Sequence, residues 1–152
     1  MIQTIANCTC SEVSLEIQSA PLLRFICHCT ICQRFNSAPY ADAVVYSSAN
    51  VKNPEPELVT FETYKPPPNV KRGKCNACAS PIVEHLHTPL FPKLTIVPTS
   101  MHRESGGLPS PVAHLFYDQR VKEANDHIPK YQGFLYSQLA FVKYLILAKC
   151  VE

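Results

Sequence analysis

The chain has 152 residues, 14 lysines and arginines against 12 acidic residues, and a formal net charge of +2. This mild charge argues against a nucleic-acid partner held mainly through phosphate contacts, whereas a small anionic ligand remains compatible. A chain of this length can bury roughly two thirds of its unfolded surface, so we expect one domain over residues 1–152 with a core of its own.

Fourteen prolines and only four glycines divide the chain into short segments, which excludes long helices over most of its length. The segments between them are β-branched or alternate apolar and polar residues, so they predict a mostly β fold. The predicted strands are, in chain order, Val13 to Ile17, Leu22 to Ile26, Ala43 to Tyr46, Leu58 to Tyr64, Ile82 to Leu86, Leu94 to Val97 and Val112 to Tyr117.

One helix is predicted, from Phe134 to Lys149 near the C-terminal end. Its apolar stripe consists of Leu135, Leu139, Val142 and Ile146. An exposed stripe of this size would be unfavourable in water, so we expect it to be buried against the β domain or a second subunit. A homodimer is therefore one expected arrangement.

Seven of the eight cysteines form three tight groups, which are Cys8 and Cys10, then Cys27, Cys29 and Cys32, and finally Cys75 and Cys78. Thiolates two or three residues apart can bind one metal ion, and this spacing is typical of four-coordinate zinc. Disulfides fit poorly, because seven cysteines leave one unpaired and such close neighbours rarely bridge. The sequence therefore predicts zinc.

The simplest division places Cys27, Cys29 and Cys32 around one ion and the other four clustered cysteines around a second. A four-cysteine site is closed and structural, whereas a three-cysteine site keeps an open position at which function is expected. The sequence also allows all seven to be structural, with a histidine closing the second site. The candidates for that ligand are His28, His85, His87, His102 and His114. Cys150 is a weaker candidate, because a lone helical cysteine is more often buried as a small apolar residue.

These motifs resemble the glutathione-dependent formaldehyde-activating enzyme family, which includes centromere protein V. That family carries Cys-x-Cys-Gly, then Cys-His-Cys-x-x-Cys-(Arg/Gln)-(Arg/Lys), then Cys-x-x-Cys-Gly. The matching segments here are Cys8 to Ser11, Cys27 to Arg34 and Cys75 to Ala79, supported by Asn36 to Tyr40 and Asp126 to Tyr131. Ser11 and Ala79 stand where the family usually has glycine, which would permit a positive φ beside the metal.

The resemblance implies a β-tent, two antiparallel sheets meeting at an angle, zinc-bound, with few short helices besides the C-terminal one. It implies a family-like core over residues 4–133, with a helical appendage at 134–150. It also implies two zinc ions per chain. Cys8, Cys10, Cys75 and Cys78 would hold the structural zinc, and Cys27, Cys29 and Cys32 the catalytic zinc.

By the same resemblance the function is that of a carbon–sulfur lyase acting on glutathione or another thiol adduct, as in S-(hydroxymethyl)glutathione synthase. His28, between two ligands, is a candidate proton carrier, and Arg34 is a candidate cation for an anionic tripeptide. Lys71 to Lys74 forms a further basic run, and Asp126 and Tyr131 are candidate pocket residues. The alternatives are a zinc-structured binding module without catalysis and a thiol-based redox or metal-storage protein.

The expected location is the cytoplasm, because thiolate ligands need a reducing compartment. The N-terminal residues lack a basic region followed by an apolar run, which predicts no secretory signal. The apolar segment Phe134 to Ala148 is shorter than the roughly 20 residues that a membrane-spanning helix needs. No membrane partner is therefore expected.

Overall fold

In a computed structural model, the residues described are 3–66, 69–103 and 107–149. They form ten β-strands and two α-helices. The strands are β1 (Thr4–Asn7), β2 (Ser14–Ile17), β3 (Leu23–Cys27), β4 (Ala41–Ser47), β5 (Val51–Lys52), β6 (Val59–Glu62), β7 (Val70–Cys75), β8 (Pro81–Leu86), β9 (Leu94–Pro98) and β10 (His114–Leu115), and the helices are α1 (Thr30–Asn36) and α2 (Phe134–Lys149). The mostly β class with a C-terminal helix is confirmed, while Cys150 lies outside the described residues.

The strands are arranged in two sheets. The smaller has three strands in the order β1-β2-β5, and the larger has seven in the order β10-β3-β4-β9-β8-β7-β6. Pairing is antiparallel except between β3 and β10, which run parallel with His114 opposite Ile26. This parallel pair brings the segment around His114 beside the end of β3, where the Cys27 group begins.

Two separate apolar cores form, and successive residues of β4 enter different ones. Val44 packs with residues of the small sheet such as Leu15, whereas Val45 packs with Ala140 and Leu145 of α2. Successive side chains of a strand point to opposite faces, so the large sheet has one core on each face. One core contains Cys8 and Cys75, and the other contains Cys27 and Cys32, so these two sets of cysteines lie on opposite faces of the large sheet.

The bounds of α2 match the predicted helix, but the buried side of α2 differs from the prediction. Its buried residues are Ser137, Ala140 and Leu145. The predicted stripe faces outward, with Leu135, Leu139 and Ile146 exposed by 63%, 57% and 56%. The expectation that this stripe packs on the β domain is wrong.

Polar and small residues explain which side of α2 docks. Ser137 Oγ accepts a hydrogen bond of 2.8 Å from the Phe116 N–H, a backbone donor that needs a partner. Phe141 packs edge-on against Phe25, with ring centroids 5.7 Å apart. A pattern of apolar residues alone could not reveal this anchoring by a serine. Among the described residues, no helix has both the length and the apolarity needed to cross a bilayer.

Candidate metal centre and its surroundings

The four-cysteine cluster consists of Cys8, Cys10, Cys75 and Cys78, whose sulfur atoms all lie within 4.8 Å of one another. The Sγ atom of Cys75 lies 3.9 Å from that of Cys8 and 3.7 Å from that of Cys10. The Sγ atoms of Cys8 and Cys10 are 3.4 Å apart. Tetrahedral zinc with bonds of about 2.3 Å requires sulfur atoms about 3.8 Å apart, so this donor set fits zinc.

Two similar turns present these sulfur atoms. The N–H of Ser11 donates to the Cys8 carbonyl at 3.0 Å, and the N–H of Ala79 donates to the Cys75 carbonyl at 2.9 Å. Ser11 has φ 66° and Ala79 has φ 60°. The two positions thus keep the left-handed conformation for which the family's glycine is suited, although neither is glycine.

The three-cysteine cluster consists of Cys27, Cys29 and Cys32, whose sulfur atoms also lie within 4.8 Å of one another. Cys27 ends β3, and Cys29 is the N-cap of α1, where its sulfur accepts the Cys32 N–H at 3.3 Å. Hydrogen bonds with Cys27 and then Cys32 lower the pKa of Cys29 to about 2. Cys29 is therefore the thiolate of this cluster. The pKa of Cys27 is raised, first by its hydrogen bond with Cys29, and that of Cys32 is raised, first by its hydrogen bond with Cys27.

No histidine nitrogen or carboxylate oxygen of the described residues completes the three-cysteine cluster. The alternative in which a histidine closes this site is therefore not realised in the part of the chain that the structure describes. A zinc ion held by these three sulfur atoms would keep one coordination position for a further ligand.

His28, next in sequence to two of these cysteines, starts a hydrogen-bonded chain. Its Nε2 lies 2.9 Å from Nδ1 of His114, and Nε2 of His114 lies 2.9 Å from Oδ2 of Asp126. The pKa of Asp126 is lowered, first by Lys130 and then by His114. Asp126 is therefore an ionised acceptor at neutral pH.

The ionised carboxylate fixes both imidazole tautomers. With both rings neutral, His114 donates through Nε2 to Asp126, and its Nδ1 accepts from His28 Nε2. His28 Nδ1 then carries a lone pair, and this buried atom has no hydrogen-bond partner in the structure. Burial, followed by the proximity of His114, lowers the pKa of His28 to about 4. His28 is thus neutral, with a free acceptor atom.

A cavity of about 290 Å³ lies beside these hydrogen-bonded side chains, and its lining includes His28, His114, Asp126 and Tyr40. Asp126 reaches it because the following segment pairs with β10, where the His114 N–H donates to the Pro129 carbonyl at 2.8 Å. Tyr131, by contrast, does not line this cavity. Its hydroxyl lies 3.0 Å from that of Tyr144, so it anchors α2.

Three basic side chains extend over aromatic rings of α1 and its neighbourhood. The guanidinium carbons of Arg34 and Arg72 lie 5.3 Å and 5.6 Å from the ring centroid of Tyr64. Lys74 Nζ lies 5.7 Å from the ring centroid of Phe35, three residues after Cys32 in α1. Arg72 and Lys74 share one face of β7, whereas Lys71 faces the other side. The predicted basic run is thus divided between two surfaces.

Sequence reasoning missed the ion pair between Arg72 and Glu84. Their Nε and Oε1 atoms are 2.8 Å apart, with side chains only 12% and 7% exposed. Burial raises the pKa of Glu84, and Arg72 opposes this effect. The position of Glu84 within the predicted strand Ile82 to Leu86 could have indicated this pair, since an acidic residue is rarely buried without a partner.

Residues 3–119 match the family described as glutathione-dependent formaldehyde-activating enzyme. The chain belongs to this family. No curated protein is similar enough to the chain to count as a match. The formaldehyde-activating family match ends at Gln119, so Asp126 and α2 lie beyond it.

The fold of the present protein resembles that in a crystal structure of a protein from Rhodobacter sphaeroides, with a TM-score of 0.54. The alignment covers 66% of this chain and 89% of the other, at 17% sequence identity. At this identity the likeness supports the fold alone.

Proposed function

We propose that the protein is a zinc-dependent carbon–sulfur lyase that acts on glutathione or another thiol adduct, in the manner of an S-(hydroxymethyl)glutathione synthase. The observation that carries this proposal is a group of three cysteine sulfur atoms without a fourth ligand from the described residues. In this account Cys27, Cys29 and Cys32 hold the catalytic zinc. Cys8, Cys10, Cys75 and Cys78 hold a structural zinc, giving two ions per chain.

Zinc, when bound by the three-cysteine cluster, supplies a Lewis-acidic position that favours the thiolate form of a thiol ligand. Side chains of the protein accept and return the proton of the hydroxymethyl group. In the cleavage direction, the hydroxymethyl group loses its O–H proton as the C=O bond forms, and the electron pair of the C–S bond returns to sulfur. His28 Nδ1 takes that proton, since its lone pair is free and its other nitrogen is held by His114.

His114 and Asp126 act as positioning residues in this proposal. They hold His28 in the tautomer that leaves Nδ1 unprotonated, and the Asp126 carboxylate stabilises the positive charge that forms on protonation. In the direction of adduct formation, the same nitrogen returns the proton to the oxygen of formaldehyde.

The carboxylates of glutathione are bound by Arg34 together with Arg72 and Lys74. Arg34 makes no ion pair with any carboxylate of the described residues, so its guanidinium donors are free for a ligand. Arg72 uses Nε for Glu84 and retains its terminal nitrogens. These cations also offset the negative charge that a fourth thiolate adds to the zinc site.

The second part of the proposal is a homodimer formed through α2. Six of its large apolar side chains are more than half exposed, which are Phe134, Leu135, Tyr136, Leu139, Ile146 and Leu147. Covering them would bury roughly 700 Å² per chain, close to the roughly 800 Å² per partner of a standard interface. The spacing of Leu135, Leu139, Val142 and Ile146 by four, three and four residues is that of a helix-pairing seam. A reducing compartment, the cytoplasm, suits the seven clustered thiols.

Exchange NMR with ¹³C-labelled formaldehyde and glutathione tests the proposed reaction. The zinc-loaded protein is expected to raise the rate of exchange between free formaldehyde and S-(hydroxymethyl)glutathione above the spontaneous rate, and Cys32→Ser is expected to abolish the increase. No acceleration by protein carrying two zinc ions would contradict the proposal.

A further inference from the structure

A second cavity lies away from both cysteine clusters. It has a volume of about 400 Å³ and is lined by Asn53, Pro54, Pro56, Phe61, Asn69, Lys71, His85 and His87. Lys71 points to the face of β7 opposite Arg72, so this cavity and the three-cysteine cluster are on different sides of the large sheet. Its volume is within the range of small-molecule sites, about 300–1,000 Å³.

Aromatic rings form one wall of this cavity. The ring of Phe61 stacks on that of His85, with centroids 5.3 Å apart and an angle of 24° between the planes. The ring of His87 follows, with its centroid 5.6 Å from that of His85. Phe61 remains 38% exposed on the edge strand β6. Such a ladder presents flat apolar faces to a ligand.

Gly73 on β7 makes room for the Phe61 ring. A Cβ atom at Gly73 would lie 2.9 Å from Cε1 of Phe61 and 2.7 Å from Cγ1 of Val59. Both distances are shorter than real contacts, so any larger residue would push the ring away from the strand. The position of Phe61 therefore depends on the absence of a side chain opposite it.

The charged side chain in the lining of this cavity is a cation. Lys71 contributes an ammonium group, and none of the described residues that line the cavity is an aspartate or glutamate. Burial, followed by His87 and Lys71, lowers the pKa of His85, so this imidazole is neutral at neutral pH. Prolines 54 and 56 provide rigid apolar surface in the same lining. The cavity thus combines flat apolar walls with one fixed cation.

We propose that this cavity binds a planar aromatic carboxylate, with the ring against Phe61 and His85 and the carboxylate on Lys71. Electrostatic attraction to Lys71 selects an anion, and stacking selects a flat ring over an aliphatic chain. This inference is independent of the reaction proposed for the cysteine site.

Isothermal titration of the zinc-loaded protein with 2-naphthoate tests the proposal. We expect a Kd below 1 mM, about tenfold weaker binding for Phe61→Leu, and similar weakening for Lys71→Gln. The neutral probe 2-naphthalenemethanol should lose affinity in Phe61→Leu but not in Lys71→Gln. Lys93→Gln, which alters a lysine outside the cavity, serves as the matched control and should bind both probes as the unaltered protein does.

Two outcomes would overturn the proposal. One is the absence of 2-naphthoate binding at millimolar concentration, and the other is unchanged affinity in both Phe61→Leu and Lys71→Gln. Gly73→Ala provides a further check, because displacing the Phe61 ring should weaken both probes. Zinc content and thiol-adduct turnover, measured on the same samples, show whether any loss arises from unfolding.

Discussion

Ser11 and Ala79 adopt the same left-handed backbone conformation, with φ 66° and 60°, each directly after the second cysteine of its pair. Each N–H closes a turn onto the carbonyl of the first cysteine in that pair. This conformation costs an L-residue with a Cβ atom roughly 1–2 kcal/mol. The sulfur cluster thus imposes a geometry that its own sequence does not favour.

Ala79→Gly is expected to raise the free energy of unfolding by about 0.5–1 kcal/mol, because relief of the left-handed strain exceeds the added entropy of the unfolded chain. Ser11→Gly should gain less, since it removes the hydroxyl that accepts a hydrogen bond from Arg103. Chemical denaturation of zinc-loaded protein measures both. The control is Ala20→Gly at an exposed loop position of ordinary φ, which should lose stability. A loss of stability in Ala79→Gly equal to that of the control would contradict this account.

Strands with apolar alternation were predictable, and β7 was not. Its sequence from Val70 to Cys75 contains three cations and a glycine, which hides the strand. The reason lies in tertiary contacts, because Arg72 pairs with Glu84 and Gly73 lies under Phe61. Short helices were expected from the family resemblance, but the position of the seven-residue helix α1 was not predicted, since its N-cap is a cysteine sulfur rather than one of the usual polar residues.

The cysteine groups could be predicted because ligands two or three residues apart are a local signal. The link from His28 through His114 to Asp126 could not, because it depends on the parallel pairing of β10 with β3. For α2, the position of the helix could be predicted but its buried side could not. Its periodicity located the helix, but Ser137 and its hydrogen bond to Phe116 determine which side is buried.

Asp126→Asn should lower thiol-adduct turnover by about 10- to 100-fold while zinc content stays unchanged, because His28 loses the charge that fixes its tautomer and stabilises its protonated form. Turnover and metal analysis on one sample provide the measurement. Glu57→Gln, which alters an exposed acid outside the lining of the cavity beside His28, is the matched control and should retain full turnover. Equal turnover in both variants would remove His114 and Asp126 from the proposed mechanism.

Arg34→Gln should raise the KM for glutathione roughly tenfold with little change in stability, because it removes a charge-assisted contact to a carboxylate from an exposed guanidinium. Arg72→Gln should raise this KM as well, and should also destabilise the fold by about 3 kcal/mol, since it leaves Glu84 buried without its partner. Kinetics with glutathione and with uncharged 2-mercaptoethanol measure recognition of the carboxylates, and chemical denaturation measures the change in stability. If Arg34→Gln changes the KM for both thiols equally, the arginine does not recognise the carboxylates.

Leu139→Lys should convert a dimer into a monomer, because it places a charge in the centre of the exposed α2 stripe. Sedimentation equilibrium across a range of concentrations measures the mass. Lys149→Glu, at the end of the same helix, is the control for a change of charge alone and should leave the dimer intact. A monomeric unaltered protein at high micromolar concentration would refute the dimer.

Native mass spectrometry of the reduced chain tests the central claim, that two zinc sites of different kinds are present. We expect two zinc ions in the unaltered protein and one in a folded Cys32→Ser variant that has lost thiol-adduct turnover. Cys75→Ser should impair folding, because Cys75 joins segments far apart in the chain, and loss of that zinc should cost several kcal/mol. One zinc or fewer in the folded, unoxidised protein, or a folded and active Cys75→Ser beside an unfolded Cys32→Ser, would contradict the account.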